Sequence, residues 1–264
     1  MLLALTRAVS PALARCELTH VPRAPIDVER ARRQHEEYER CLARLGCEVQ
    51  QLPAEPDLPD SVFIEDTCFV LDEVAVITRP GAESRRPETR AVAAALKPYR
   101  PLAAIQPPGT LDGGDILCIG KRVFVGQSSR SNQAGIDQLR RVLAPHGYTV
   151  TGVPVRGCLH LKSAATRVGP KTVLVNEAWV DPAALGAVTV IGVDPAEPYG
   201  ANALLIGDSV VYPATSPQTR QRLEAHGIRV IKVDVSELQK AEGAVTCCCV
   251  IFSAPATPPL STLA

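Results

Sequence analysis

The chain has 264 residues, with 28 Lys and Arg against 28 Asp and Glu, so its formal net charge is zero. It lacks the basic excess of nucleic-acid or acidic-membrane binders, and we expect neither partner. No apolar run approaches the ~20 residues of a membrane helix, and MLLALTRAVS at the start does not have the charge order of a signal peptide. The nine cysteines are therefore expected to be mostly free thiols of a cytoplasmic protein.

Four segments of the chain share one pattern, in which a β-rich run, a polar turn and a second β-rich run follow each other. They begin at Asp66, Gly113, Leu161 and Ala201. The turns IGKR and IGDS carry the strongest hairpin signal. Helical patterns follow three of the segments, and the weak stretch PAALG follows the third; a short extended stretch ends each unit. In the last unit we expect Ser216 to cap a helix that begins at Pro217.

The two chain ends supply a fifth unit if they pair. CCCVIFS and LLALTRAVS would be neighbouring strands, DVERARRQHEEYERCLARLG a helix capped by Asp27, and CEVQQL the closing strand. A period of roughly 40–50 residues is typical of propeller-like arrays. We therefore predict one α/β domain over residues 1–264, a five-bladed α/β propeller of strand-strand-helix-strand units closed by the termini. An ordinary open α/β sheet is the competing interpretation.

Polar residues recur where successive units begin. They are Glu65 and Asp66, Asp112 and Asp115, His160, and Glu242 with Cys247. Each has an ordinary interpretation when taken alone: a turn-forming aspartate, a structural histidine, or a cysteine packed in the core. In a ring, however, equivalent blade ends meet at one central site. That site would combine a thiol, an imidazole and several carboxylates.

This combination suits nucleophilic attack on a cation. A thiolate is the nucleophile, a neighbouring imidazole protonates a leaving amine, and Asp112 would orient that imidazole. Glu65 and Asp66 would hold a planar guanidinium, which donates several hydrogen bonds in fixed directions. Two arginines in matching polar loops, Arg85 and Arg130, are either surface residues or a bidentate grip for a carboxylate. The predicted small-molecule partner is arginine or an arginine derivative.

The motifs FIED, TRPGAESRR, LDGGD, CLHLKS and TCC together resemble the dimethylarginine dimethylaminohydrolases, which belong to the guanidine-modifying α/β propellers. The similarity runs from about Leu18 to Ile251. It implies hydrolysis of Nω-methylated arginines to citrulline through a covalent thiouronium, without a metal or organic cofactor. Arginine deiminase or another guanidine hydrolase is the alternative. A homodimer is compatible with the sequence.

The resemblance also implies a role for each matching residue. Cys247 would be the nucleophile, with His160 as general acid and base and Asp112 as its partner. The implied substrate contacts are Glu65 and Asp66 for the guanidinium, Arg85 and Arg130 for the α-carboxylate, Asp60 and the backbone of Leu18 for the α-amino group, and Phe63 for the alkyl stem. Glu242 completes this set, although the family pattern has aspartate there. One extra methylene would shift the guanidinium within the pocket.

The run of three cysteines is predicted to lie in a strand, with Cys247 and Cys249 on one face and Cys248 on the other. Cys249 stands where the family has serine or threonine. A disulfide framework is disfavoured because sequence neighbours bridge poorly, and a structural zinc site because no CxxC pair is present. An inhibitory zinc ion on Cys247 and His160 is compatible with the set. The proline-rich stretch PRAPID from Pro22 is either a lid or a rigid connector.

Overall fold

The structure, a computed structural model, describes residues 1–254 and consists of five three-stranded sheets. Residues 255–264, which the single-domain prediction includes, lie outside the described part. The strands in chain order are β1 (Leu2–Arg7), β2 (Cys47–Leu52), β3 (Cys68–Val70), β4 (Ala75–Ile77), β5 (Leu102–Ala104), β6 (Ile116–Ile119), β7 (Arg122–Gln127), β8 (Thr149–Pro154), β9 (Ala165–Arg167), β10 (Thr172–Val175), β11 (Thr189–Gly192), β12 (Leu204–Ile206), β13 (Ser209–Pro213), β14 (Arg229–Val233) and β15 (Val250–Ser253).

Every sheet has the same internal order, which defines a blade. In the blade β6-β7-β8, for example, β6 and β7 form an antiparallel hairpin and β8 lies parallel to β7. A parallel neighbour requires a crossover, and helices supply it in four of the blades. The helices are α1 (Val28–Arg44), α2 (Thr89–Leu96), α3 (Gln133–Leu143), α4 (Leu161–Ala164), α5 (Pro217–Ala225) and α6 (Ser236–Gln239). The weak third unit crosses over through a short 3-10 helix, Pro182–Leu185.

The chain ends form the fifth blade, as predicted. Strand β15 runs antiparallel to β1, with Leu5 opposite Val250, and β2 lies parallel to β1 on its other side. The connecting helix α1 begins as expected, because the Asp27 side chain accepts the Arg30 N–H at 2.9 Å. Its predicted apolar face is buried at Ala31, Tyr38, Cys41 and Leu42. Mutual pairing of the termini therefore closes the array.

The five sheets surround one axis. A single cavity is bordered by residues from the first strand of every blade: Phe69, Leu117, Thr166, Leu205 and Ile251. An open sheet would line these strands up side by side in one ladder, whereas here each belongs to a separate sheet. The five-bladed propeller is confirmed. None of the helices in the described part of the chain has the length and apolar character needed to span a bilayer.

Two local predictions are wrong. Strand β15 begins only at Val250, so the three cysteines lie in the turn before it and do not share strand faces. Local bonds hold this turn, including one from the Cys247 N–H to the Ala244 carbonyl at 3.2 Å. Ser216 precedes α5 but makes no side-chain cap. The Glu197 carboxylate caps that helix instead, accepting the Gln218 and Thr219 N–H groups at 2.9 and 2.7 Å.

Candidate active site

Three of the polar residues that begin the blades, Asp66, His160 and Cys247, border one pocket, and Asp112 contacts His160. Glu65 and Asp66 lie in a 3-10 turn, Ile64–Thr67, that leads into β3, and Asp112 precedes a second such turn before β6. His160 immediately precedes α4 and β9, and Cys247 lies in the turn before β15.

His160 is the centre of the site. Its Nε2 lies 3.0 Å from Asp112 Oδ2, and its Nδ1 lies 3.8 Å from Asp66 Oδ1. Burial opposes the charged imidazole, but the Asp66 charge and the Asp112 hydrogen bond together raise the pKa of His160 to about 9. The imidazole is therefore protonated at neutral pH, as a general acid must be before it acts.

The two glycines of DGGD allow this close packing. A Cβ on Gly114 would lie 2.6 Å from both Asp66 Oδ1 and His160 Nδ1, and one on Gly113 would collide with the Glu65 carbonyl. The Gly114 N–H donates to Asp66 Oδ1 at 3.0 Å. Glycine is therefore required at both positions, because a side chain at either one would push neighbouring blades apart and separate the imidazole from its carboxylates.

Arg85 is buried beside Asp66 rather than exposed on the surface. Its guanidinium donates to Asp66 Oδ2 at 2.5 Å and to Glu88 Oε2 at 2.9 Å, and also to the Phe63 carbonyl at 3.0 Å. Burial opposes ionisation of Asp66, but the charges of His160 and Arg85 lower its pKa to about 2. Arg85 borders the site, and its role toward a substrate carboxylate stays a prediction because protein groups already occupy most of its donors.

The Glu65 carboxylate lies next to Asp66 in the chain and borders the axial cavity. It accepts from Lys162 Nζ at 2.5 Å and from Thr246 Oγ1 at 2.7 Å. Burial raises the pKa of Glu65, and the Lys162 charge opposes this. Asn202 holds Thr246 in turn, because its Nδ2 donates to Thr246 Oγ1 at 2.9 Å and its Oδ1 accepts the Thr246 N–H at 3.0 Å.

Sequence reasoning missed Lys162, Thr246 and Asn202. A partial signal for Asn202 was available, because it lies shortly before the first strand of its blade, as Asp112 and His160 do in theirs. The number of residues between the polar group and the strand differs from blade to blade, so the repeat alone does not single it out. Lys162 and Thr246 carry no such positional signal, since their partner is reached only across the ring.

Cys247 borders the same cavity as His160 and is half-buried. Its carbonyl accepts the Glu65 N–H at 3.1 Å, which ties the cysteine turn to the turn before β3. Burial, with the Glu65 and Asp66 charges, raises the pKa of the Cys247 thiol. The thiol is therefore protonated at rest in this negatively charged surrounding.

The other two cysteines of the run face the core. Cys248 is fully buried, and Cys249 is buried with its Sγ 3.0 Å from the Tyr38 hydroxyl of α1. Tyr38 donates to the Val245 carbonyl at 2.6 Å, so it braces the turn from outside. Burial raises the pKa of Cys249 to about 12. Cys249 thus takes a packing position in the cysteine turn.

A narrow pocket of about 20 Å³ extends from Cys247 and His160 toward Asp60, Phe63, Arg85 and Arg130. The Phe63 ring packs against Gly243, where any Cβ would collide with it. Asp60 is buried and accepts the Glu17 N–H at 3.1 Å. Burial raises the pKa of Asp60, and the Arg85 charge opposes this. The predicted side-chain contacts of the α-amino group, α-carboxylate and alkyl stem are therefore adjacent. The half-buried Leu18 side chain packs on the core, and the contact of its backbone with the α-amino group stays a prediction.

Residues 17–21, which we call the strap, cross the site between Asp60 and Glu242. The Glu242 carboxylate accepts the Thr19, His20 and Val21 N–H groups at 2.6, 2.6 and 3.1 Å. The strap ends just before PRAPID, so the residues over the site precede that stretch.

Glu242 has a φ of 57°, a strained region for a residue with a side chain. The three hydrogen bonds from the strap engage both of its carboxylate oxygens. The prediction that Glu242 contacts a guanidinium stays a prediction.

The ligand atoms of Asp66, Asp112 and His160 all lie within 4.8 Å of one another, a spacing that could hold a metal ion. A metal-bound imidazole must give up its proton, and the raised pKa of His160 opposes that loss. The geometry favours proton chemistry over ligation by this group.

A thiol beside an imidazole–carboxylate pair, with further carboxylates nearby, suits covalent attack on a planar cation. On a five-bladed α/β propeller, this arrangement defines the class of guanidine-modifying enzymes.

Comparison with known proteins narrows the class. Residues 23–183 match a family model described as N,N dimethylarginine dimethylhydrolase, eukaryotic. The N(G),N(G)-dimethylarginine dimethylaminohydrolases of Streptomyces coelicolor and Pseudomonas aeruginosa are 41% and 34% identical, over 92% and 84% of this chain and 94% and 88% of theirs. A solved Pseudomonas aeruginosa structure, a cysteine-to-serine mutant complexed with citrulline, superposes with a TM-score of 0.88 at 31% identity and covers 94% of this chain and 98% of that one. The chain belongs to the dimethylarginine dimethylaminohydrolase family.

Proposed function

We propose that this protein hydrolyses Nω-methylated arginines to citrulline and a methylamine. The observation that carries the proposal is the placement of Cys247, His160 and Asp66 around one cavity, with Asp112 3.0 Å behind the imidazole. The relatives named above are dimethylarginine dimethylaminohydrolases, and one of them binds citrulline.

The pocket matches the two ends of the proposed substrate. Asp66 would offer negative charge to the guanidinium beside Cys247, while the neighbouring Glu65 carboxylate is paired with Lys162. Phe63 would pack on the methylene stem. Asp60 would take the α-amino group and Arg130 the α-carboxylate, because opposite charges at the far end fix the direction of the bound amino acid.

In the first step, the bound cation lowers the pKa of the Cys247 thiol, because it offsets the carboxylate charges that raise it. The thiol proton passes to solvent, and the thiolate attacks the guanidinium carbon. As the carbon–nitrogen bond breaks, the His160 imidazolium gives its proton to the departing methylamine. A thiouronium on Cys247 and a neutral imidazole remain.

In the second step, the neutral imidazole takes a proton from water while the water oxygen attacks the thiouronium carbon. Asp112 keeps the ring oriented and stabilises the imidazolium that forms again. Collapse of the adduct breaks the carbon–sulfur bond and forms the citrulline carbonyl, and the hydroxyl proton of the adduct returns to the departing sulfur to restore the Cys247 thiol. One water is consumed, and no redox partner enters the balance.

The test is an assay of citrulline, dimethylamine and ammonia with dimethylarginine, monomethylarginine and arginine as substrates. We expect citrulline and dimethylamine in equal amounts from dimethylarginine. Faster ammonia release from plain arginine would instead assign an arginine deiminase. Cys247→Ser should abolish turnover with the melting temperature unchanged, whereas Cys118→Ser, a half-buried thiol outside the pocket, should keep it.

We further propose a reducing, cytoplasmic setting, no nucleic-acid or membrane partner, and one domain over the whole chain. Nine free thiols and a zero net charge support the first two points. A homodimer would be detected by sedimentation of the purified protein.

A further inference from the structure

A second and much larger cavity opens on the other side of His160 and Cys247. It has a volume of about 330 Å³, against about 20 Å³ for the pocket that ends at Arg130. The two spaces share one wall, formed by Leu159, His160, Glu242, Gly243 and Cys247. We call the larger space the outer chamber.

The outer chamber lies where the leaving nitrogen of the substrate must be. The groups proposed for the amino-acid end, Asp60 and Arg130, border only the narrow pocket. His160 and Cys247 border both spaces, so the guanidinium carbon sits at the shared wall. A substituent on the distal nitrogen then extends away from the narrow pocket, into the outer chamber.

The polar groups of the chamber are largely committed to the protein. Glu197 caps α5 with both carboxylate oxygens. Asn202 is bonded to Thr246 and to the Lys162 carbonyl. The Gln239 Oε1 accepts from Thr215.

The rest of the lining is largely apolar, including Ala196, Pro198 and Tyr199, and Tyr199 packs edge-on against Trp179 with ring centroids 5.1 Å apart. The chamber therefore suits an uncharged apolar group.

We propose that the outer chamber accepts Nω-alkyl and Nω-aralkyl groups larger than methyl, so that the enzyme also hydrolyses such arginines. This inference rests on the proposed function. The chamber holds on the order of ten water volumes of ~30 Å³ each, far more than two methyl groups fill. The chemistry is unchanged: Cys247 forms the carbon–sulfur bond, the larger amine leaves with the His160 proton, and water completes the hydrolysis.

The first test compares kcat/KM for Nω-methyl-, Nω-propyl- and Nω-benzyl-L-arginine, measured as citrulline and as the released amine. We expect kcat/KM of the propyl substrate to stay within about tenfold of the methyl substrate, no more than the smallest effect of a single misfitting methylene in a hydrophobic pocket. Turnover of the methyl substrate alone would overturn the inference and leave the proposed function standing. Failure of all three, and of dimethylarginine, would overturn the proposed function itself.

A variant locates the effect. Ala196→Phe places a ring in the outer chamber from an exposed position on its rim, and should lower kcat/KM for the benzyl substrate about tenfold relative to the methyl substrate. The matched control, Ala187→Phe, lies outside the chamber and should leave that ratio unchanged. An unchanged benzyl-to-methyl ratio in Ala196→Phe, in a protein with wild-type melting temperature, would place the substituent elsewhere.

Discussion

Arg130 donates to the Thr19 hydroxyl at 3.0 Å, while Glu242 accepts the N–H of the same residue at 2.6 Å. Thr19 is thus held from two blades at once, and the strap is tied across the mouth of the site. Since the strap also borders the pocket through Glu17, its attachment should control substrate retention more than chemistry.

Glu242→Gln should loosen the strap, because an amide accepts N–H bonds more weakly than a carboxylate. We expect KM to rise roughly tenfold, the effect of about 1.4 kcal/mol, with kcat changed less. Hydrogen exchange of the Thr19, His20 and Val21 amides should accelerate. Glu224→Gln, which breaks an exposed ion pair with Arg220, is the matched control. Slow exchange at all three amides in Glu242→Gln would show that other contacts hold the strap.

Arg130→Ala should raise KM for amino-acid substrates far more than for analogues that lack the α-carboxylate. Arg130 is half-buried, and its contact in the structure is with the strap, so its loss should spare folding. The comparison uses kcat/KM for paired substrates, and equal losses on both members would remove Arg130 from carboxylate binding.

Arg85→Ala should behave differently. It leaves Glu88 buried without its ion-pair partner and removes one of the two cations beside Asp66, and breaking a buried pair costs about 3–5 kcal/mol. We expect a markedly lower free energy of unfolding in urea, together with lost activity. A variant with wild-type stability would mean that the carboxylates find other partners.

Asp112→Asn should move the alkaline limit of activity. His160 must be protonated to release the amine, so activity through this group falls as pH rises through its pKa of about 9. Removing the Asp112 charge lowers that pKa and shifts the alkaline limb of kcat to lower pH, with a loss of about 10²–10⁴ in rate. The pH profile of kcat measures both the shift and the loss in rate. An alkaline limb at unchanged pH would show that a group other than His160 controls it.

Stability should follow the same titration. The folded pKa of His160 lies above the ordinary value of about 6.5, so its contribution is full below pH ~6.5 and is lost as pH rises through about 9. The difference in melting temperature between the wild type and His160→Gln should shrink over that range. A difference that stays constant with pH would contradict the raised pKa.

Asp115 positions the catalytic turn without touching the pocket. Its Oδ1 accepts the Leu161 N–H at 2.9 Å, and its Oδ2 accepts the Ser128 and Ser131 hydroxyls at 2.6 Å each. Asp115→Ala leaves these three donors without an acceptor, at about 1–3 kcal/mol each. It should also lower kcat, because Leu161 directly follows His160 in the chain. Asp115→Asn keeps an acceptor and should recover part of both losses, measured by urea unfolding and steady-state rates. Equal kcat values for Asp115→Ala and Asp115→Asn would show that Asp115 does not position the His160 imidazole.

Iodoacetamide, an uncharged reagent, should report the Cys247 thiol directly. Because the resting pKa is raised, alkylation should be slow at neutral pH and accelerate with pH beyond the range of an ordinary thiol. Mass spectrometry of the Cys247 peptide follows the rate. An apparent pKa below that of free cysteine would show a thiolate at rest and contradict the charge balance described here.

The sequence by itself determined the repeat, the closing of the ring and part of the residue set around the candidate site. Hairpin turns such as IGKR, the apolar face of α1 and its Asp27 cap are local signals, because strand alternation and helix capping act over a few residues. Polar residues near the blade starts follow from the repeat. Asp112, His160 and Cys247 could therefore be placed together from spacing and family resemblance.

Only the tertiary structure decided which partners those side chains have. Lys162 and Thr246 donate to the Glu65 carboxylate, and Arg85 pairs with Asp66 and Glu88. Glu242 holds the strap. Most of these contacts join segments that are far apart in the chain. The sequence pattern also predicted a strand where the three cysteines form a turn, because hydrogen bonds within the turn hold its backbone. Charge and hydrogen-bond satisfaction in a buried site are settled among neighbours in space, and a linear sequence does not state those neighbours.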